Sequence, residues 1–320
     1  MSGAAAGVPE RPVTLPGGVT GPDDVRAALG GAGYLADEGL ATVVFLALAL
    51  RRPLLLEGDA GVGKTEVAKA LSRWLGAELL RIQCYEGIDA AQAVYEWDYA
   101  RQLLHLRAAE ARGAVSGERV SEAIEDELYS ERFLVRRPLL AAITADPGGP
   151  PPVLLVDELD RADDEFEAFL LEVLSEYAVT VPELGTFRAA VPPIVVLTSN
   201  RTRDLHDALK RRCLYHWVEH PDFERELEIV ALRAPEVAPR LAREVAAAAG
   251  QLREMGLYKP PGVAETIDWA EALAALGQAR LDEAGVERTL GTVLKYREDA
   301  ERVRAAGICE LVTAAAQRAG

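Results

Sequence analysis

Apolar positions along this chain follow two different patterns. Four short runs are predominantly apolar: Leu54-Leu55-Leu56, residues 79–83 (interrupted by Arg81 and ending in Gln83), residues 153–156 and residues 194–198 (ending in Thr198). Each is bounded by proline, glycine or acidic residues, as expected of strands buried on both faces of a parallel sheet. Between and after them the pattern switches to a helical period. Residues 23–29, 37–50, 66–75, 163–177 and 205–212 read as helices. The first is stopped by Gly30-Gly31, and the second by Arg51-Arg52-Pro53. In the fourth, Phe166, Leu170, Val173, Leu174 and Tyr177 share one face, with Asp163, Asp164 and Glu165 in the first turn. Val179-Thr180-Val181 and Thr186-Phe187-Arg188 flank Pro182-Glu183-Leu184-Gly185, a hairpin signal.

From Asp222 the strands stop. Alanine-rich helices are predicted at about 222–232, 236–254, 263–276 and 286–317. Between the second and third strands, residues 89–112 read as one helix, with a break at 113–117. Helices follow at 120–129 and 136–144, then a linker at 147–152. Three parts are therefore expected: a flexible lead-in (1–20), an α/β core (21–220) with a helical insert at about 88–146, and a smaller all-α domain (221–320).

Bulk properties narrow the function. A formal net charge of -16 and a pI near 4.8 argue against a broad nucleic-acid footprint. Cys84, Cys213 and Cys309 are widely spaced and odd in number, which suits a reducing, cytoplasmic location. No apolar run is long enough to span a bilayer and no secretory leader is visible, so a soluble protein is expected.

The chemistry centres on the turn after the first strand. Gly58-Asp59-Ala60-Gly61-Val62-Gly63-Lys64-Thr65 fits G-x-x-x-x-G-K-[ST] between a strand and a helix. Its glycines let backbone N–H groups converge on phosphate oxygens, and the helix N-terminus adds partial positive charge. Lys64 is expected on the β- and γ-phosphates of ATP, and Thr65 on Mg²⁺. The third strand ends in Asp157-Glu158 and the fourth in Ser199-Asn200. Neighbouring side chains at a strand end diverge. Asp157 is thus the candidate metal acid, Glu158 the candidate for polarising the attacking water, and Asn200 a γ-phosphate or water contact. Tyr34 and Leu35 either touch a purine base or pack in the core.

In order and spacing, residues 58–65 (Walker A), 153–158 (Walker B), Thr198-Ser199-Asn200 (sensor 1) and the helix ending Lys210-Arg211-Arg212 resemble the AAA+ ATPases. Glu158-Leu159-Asp160-Arg161-Ala162 and the hairpin around Gly185 look like the MoxR family. Gln83-Cys84-Tyr85-Glu86-Gly87 and Tyr95-Glu96-Trp97-Asp98-Tyr99 look like its CoxD-like subgroup. The resemblance implies a phosphate-loop AAA+ core with a helical lid and an ATP-hydrolysing homo-oligomer, usually a hexameric ring. It also implies chaperone-like remodeling beside a von Willebrand factor A domain protein, with a molybdenum hydroxylase as client. It places Arg212, or alternatively Arg211, as a finger acting on a neighbouring subunit. The insert would face the ring pore, where its aromatics either grip a client or form a local core. One departure stands out: residues 261–267, where a lid arginine (sensor 2) is usual, carry no base. The rival readings are a nucleotide-switched scaffold with negligible turnover and, against the acidic balance, a DNA-acting ATPase.

Overall fold

The computed structural model describes residue 15, residues 18–111 and residues 127–319. The lead-in (apart from residues 15 and 18–20), the break at 113–117 and most of the helix expected at 120–129 lie outside these residues.

The first core elements are α1 (Pro22–Gly31), α2 (Glu38–Leu50), β1 (Leu54–Glu57), α3 (Lys64–Leu75) and β2 (Leu79–Gln83). An insert follows: α4 (Ala90–Val94), β3 (Tyr95–Trp97), α5 (Tyr99–Ala111), β4 (Leu134–Arg136) and α6 (Pro138–Ile143). The core resumes with β5 (Val153–Asp157), α7 (Asp164–Glu176), the hairpin β6 (Ala178–Val181) and β7 (Gly185–Arg188), β8 (Ile194–Ser199), α8 (Asp207–Arg212) and β9 (Leu214–Trp217). Strands β2-β5-β8-β1-β9 form one all-parallel sheet in that order.

Alternation along each strand supplies two cores. Leu55, Ile82, Leu154, Val156 and Leu197 face the layer of α7, α6 and the insert. Leu54, Leu56, Val153, Leu155 and Val196 face α1, α2 and α3. The helices begin where local chemistry stops the backbone from being extended. The Asp37 carboxylate accepts the Leu40 N–H at 2.6 Å to start α2, and Asp163 does the same for Phe166 at the start of α7.

The C-terminal helices are α9 (Phe223–Arg233), α10 (Pro239–Glu254), α11 (Val263–Ala275), α12 (Glu283–Val293), α13 (Arg297–Ala306) and α14 (Ile308–Ala319). They enclose their own core around the fully buried Trp269, whose indole N–H donates to the Thr289 hydroxyl at 2.7 Å. No described helix is long and apolar enough to cross a membrane.

Three expectations change. The helix expected at 89–112 is split, because Tyr95–Trp97 pairs antiparallel with Leu134–Arg136, and Trp97 is drawn into the core. The helix expected at 136–144 correspondingly loses its first turn to β4. The long helix expected at 286–317 becomes three, broken by the extended Leu294–Tyr296 and by Gly307 at φ 99°. Strand β9 was not expected; it is only half-buried and carries Tyr215 and His216 among its apolar residues.

Candidate functional site

The phosphate loop leaves β1 with backbone angles that only glycine holds comfortably. Gly58, Gly61 and Gly63 sit at φ 153°, 81° and 95°. A Cβ on Gly58 would meet the Val218 carbonyl at 2.3 Å. Inside this curl the buried Lys64 ammonium donates to the Gly58 and Asp59 carbonyls at 2.7 and 2.6 Å. Burial pulls its pKa down, opposed by the charges of Asp160, Asp59, Asp157 and Glu158.

Strand β5 brings its acids beside the loop. Asp157 Oδ1 accepts from the Thr65 hydroxyl at 2.9 Å and from the Thr198 hydroxyl at 2.5 Å, while Oδ2 pairs with Arg81 of β2. Glu158 takes the left-handed conformation at φ 55°, a strained position for a non-glycine residue. Its N–H donates to Thr198 Oγ1, and its carboxylate pairs with Arg161 at 3.0 Å. The strain turns the chain sharply, so Asp157 stays under the loop while Glu158 reaches the cavity beside Asn200.

Asp160 had no assigned role, yet it ties the two strand ends together. Its buried carboxylate accepts the Asn200 N–H at 3.1 Å, the Thr202 N–H at 2.9 Å and the Thr202 hydroxyl at 2.7 Å. Burial alone would raise its pKa; these hydrogen bonds outweigh burial and hold it below the ordinary value. The signal was present in sequence as an acid three residues past Asp157, but its partner lies 40 residues away.

A cavity of about 360 Å³ opens over the loop. Tyr34 and Leu35 line it, as do Thr65, Asp157, Glu158 and Asn200. Burial pushes the Tyr34 hydroxyl up, and its ring packs over Gly63. The roof comes from the C-terminal helices. Val263 N–H donates to the Gly61 carbonyl at 3.0 Å, and a Cβ on Gly262 would lie 2.7 Å from Gly61 Cα. The segment 261–267 thus meets the loop through backbone. The base that α9 contributes to the cavity is Arg233, paired with Glu66 at 2.9 Å. Burial raises the Glu66 pKa, but Arg73, Arg233 and Lys69 outweigh it and hold it low.

Arg211 and Arg212 end α8, whose last carbonyls accept from Arg52. Arg212 folds back onto α7, donating to the Leu171 carbonyl and the Ser175 hydroxyl. The exposed Arg211 guanidinium has no partner among the described residues. Of the insert aromatics, Trp97 is buried against Tyr95 and Tyr129, whereas Tyr99 is 66% exposed.

These residues fit a nucleoside triphosphate with a divalent cation. The loop is too tight at Gly58 and Gly61 for any side chain but is open toward the cavity. Hydroxyl and carboxylate oxygens at Thr65, Thr198 and Asp157 form the hard donor set that Mg²⁺ prefers.

The AAA domain model of the dynein-related subfamily matches residues 53–213, just over half of the chain, so the chain belongs to that family. AAA domains as a class are ATPases that bind ATP with magnesium and commonly assemble into rings. Among solved structures, the fold is similar to a protein of Cytophaga hutchinsonii described as a candidate ATPase. That match has 14% identity and a TM-score of 0.45, over 92% of this chain and 93% of that one. It is also similar to two point variants of Thermotoga maritima RuvB. They show 14% and 16% identity with TM-scores of 0.45 and 0.43, covering 88% and 84% of this chain and 73% and 67% of theirs. No curated protein matches the chain. Family membership rests on the matched span, not on these distant likenesses.

Proposed function

We propose that this chain is an ATP-hydrolysing, ring-forming remodeler of the MoxR type, CoxD-like in its insert. On this reading it is cytoplasmic, works with a von Willebrand factor A domain partner, and assists assembly of a metalloenzyme such as a molybdenum hydroxylase. Residues 221–320 act as the lid of the core formed by 21–220. The observation that carries the catalytic part is the convergence of Lys64, Thr65, Asp157, Glu158 and Asn200 on one cavity. The remodeling part rests on the sequence resemblance.

Residue roles follow from position. The loop from Gly58 through Asp59, Ala60, Gly61, Val62 and Gly63 presents N–H groups to phosphate oxygens, and Lys64 adds a positive charge. Thr65 and Asp157 hold magnesium, which when bound neutralises charge on those oxygens. Glu158, freed from Arg161, orients a water and accepts its proton at the carboxylate. Asn200 fixes the water or the outer phosphate. An arginine at the end of α8, Arg212 or Arg211, completes the site of a neighbouring subunit.

One observation supports a second reading, a nucleotide-switched scaffold with negligible turnover: both strand-end acids are paired with arginines, Asp157 with Arg81 and Glu158 with Arg161. Steady-state phosphate release separates the two. Wild-type turnover is expected, with Glu158→Gln binding ATP but hydrolysing it slower by about two orders of magnitude, as for a lost general base. Lys64→Ala is expected to lose both binding and hydrolysis. ATP binding without measurable wild-type turnover would select the scaffold.

A further inference from the structure

A second cleft, of about 720 Å³, opens where β2, α4 and the β3–β4 ribbon meet. Tyr85, Tyr95 and Tyr99 line it, together with the guanidiniums of Arg81 and Arg137 and the single carboxylate of Glu96. Tyr85 is 50% exposed and Tyr99 66%, so both rings are free to stack on an incoming group.

One wall of this cleft is an open sheet edge. Among the described residues, strand β2 pairs with β5 alone. The Glu78 carbonyl accepts from Val153 N–H, and Cys84 N–H donates to the Asp157 carbonyl, so the even-numbered residues of β2 face β5. By alternation the backbone groups of Leu79, Arg81 and Gln83 point outward. Such an edge is a template for an added strand unless something covers it. Arg81 and Gln83 are exposed.

The charges choose between occupants. Arg137 pairs with Glu96, but both side chains are about half exposed, at 47% and 51%. An exposed pair of this kind contributes only about 0–1 kcal/mol, so a better-placed carboxylate displaces it at little cost. Arg81 is likewise 49% exposed on the cleft side while it holds Asp157. Two half-exposed guanidiniums, one held by the buried Asp157 and the other by the exposed Glu96, stand among tyrosines on a protein whose net charge is -16.

We propose that the β2 edge and this cleft form a docking site for an extended segment of a partner protein that alternates carboxylate and aromatic side chains. The segment adds to the sheet through Leu79, Arg81 and Gln83. Its aromatic groups stack on Tyr85 and Tyr99, and its carboxylates pair with Arg137 and Arg81. This takes the remodeler reading one step further, to the chemistry of what docks, but the site stands on its own geometry.

The test uses the full chain without nucleotide, so its failure leaves the ATPase reading standing. A fluorescein-labelled random copolymer of glutamate and tyrosine is titrated against the protein and followed by anisotropy. A copolymer of lysine and tyrosine is the control. Saturable binding of the acidic copolymer is expected, weakened at least about tenfold by Tyr99→Ala combined with Arg137→Gln. Both side chains are exposed, so the variant keeps the fold. Hydrogen exchange of residues 79–83 should slow when the copolymer binds to wild type. No saturable binding, equal binding of the lysine copolymer, or unchanged exchange at 79–83 would each overturn the proposal. So would a smaller sedimenting species for the variant without copolymer, which would make the occupant a second copy of this chain.

Discussion

Replacing Asp160 by asparagine tests whether the two strand ends work as one frame. Asp160 uses one oxygen for the Asn200 N–H and the other for the N–H and hydroxyl of Thr202. Asparagine is nearly the same size but keeps only one acceptor. Whichever way the amide turns, a part-buried backbone N–H faces an NH₂ group. Leaving such a donor unsatisfied costs about 1–3 kcal/mol. In a domain of this size that is a fall in Tm of roughly 2–4 °C per kcal/mol. The effect on chemistry should be larger than the effect on stability. A shift of about 1 Å in Asn200 is enough to cost on the order of 10² in rate. Near neutral pH the KM for ATP should change little, because the geometry of the loop is untouched and Lys64 stays charged. Asp160 is also foremost among the acids that offset the burial of Lys64. Removing its charge lets the lysine pKa fall further, so nucleotide binding should weaken at lower pH on the alkaline side than in wild type. The assay is phosphate release against ATP concentration across pH, with calorimetry on the same samples. A lowered Tm with unchanged kcat would reduce Asp160 to a structural role. No change in either would refute the frame itself.

Two further outcomes are expected. Arg211→Ala should bind ATP and hydrolyse it 10³–10⁵-fold slower, roughly the contribution of a finger in trans. Mixed with Lys64→Ala it should regain part of the activity that neither parent shows; recovery with Arg212→Ala instead would move the role to the arginine now folded onto α7. At the start of α2, the nearby His216 imidazole, 3.8 Å from the carboxylate, opposed by burial and helped by Leu40 N–H, holds Asp37 at a pKa of about 2 against 3.8. Its folded pKa is depressed, so its contribution is complete above about pH 4 and lost as pH falls toward 2. Asp37→Ala should therefore cost about 1 kcal/mol as a lost helix cap at pH 6 and progressively less at pH 3; an equal loss of Tm at both pH values would contradict this.

What the sequence disclosed, and what it hid, divides by range. The phosphate loop, Asp157-Glu158 and four of the five sheet strands were legible because each depends on neighbours in the chain: glycine angles, a mostly apolar run, an acid at a strand end. The hairpin around Gly185 was legible for the same reason. Asp160 and Arg81 were not, because their meaning lies in partners about 40 and 76 residues away. The helical period across 89–112 failed because Trp97 gains more from the core beneath the sheet than from staying on a helix surface. Strand β9 was missed because an edge strand mixing Tyr215 and His216 with apolar residues lacks the unbroken run of its neighbours. Arg233 was not legible either, because it reaches the cavity from the helix pair that precedes 261–267, where nothing local marks it.

The meeting of Gly61 and Gly262 has a mechanical consequence. Arg253 pairs with the buried Glu226 and donates to the Pro261 carbonyl, so the turn that carries Gly262 is anchored in the C-terminal helices. Gly262 in turn rests on the phosphate loop main chain with no side chain between them. Displacement of the loop therefore reaches the C-terminal helices as a push between two backbones rather than as attraction between charges. Ionic strength has little hold on a linkage of that kind, whereas one added methyl group at either glycine would wedge it open.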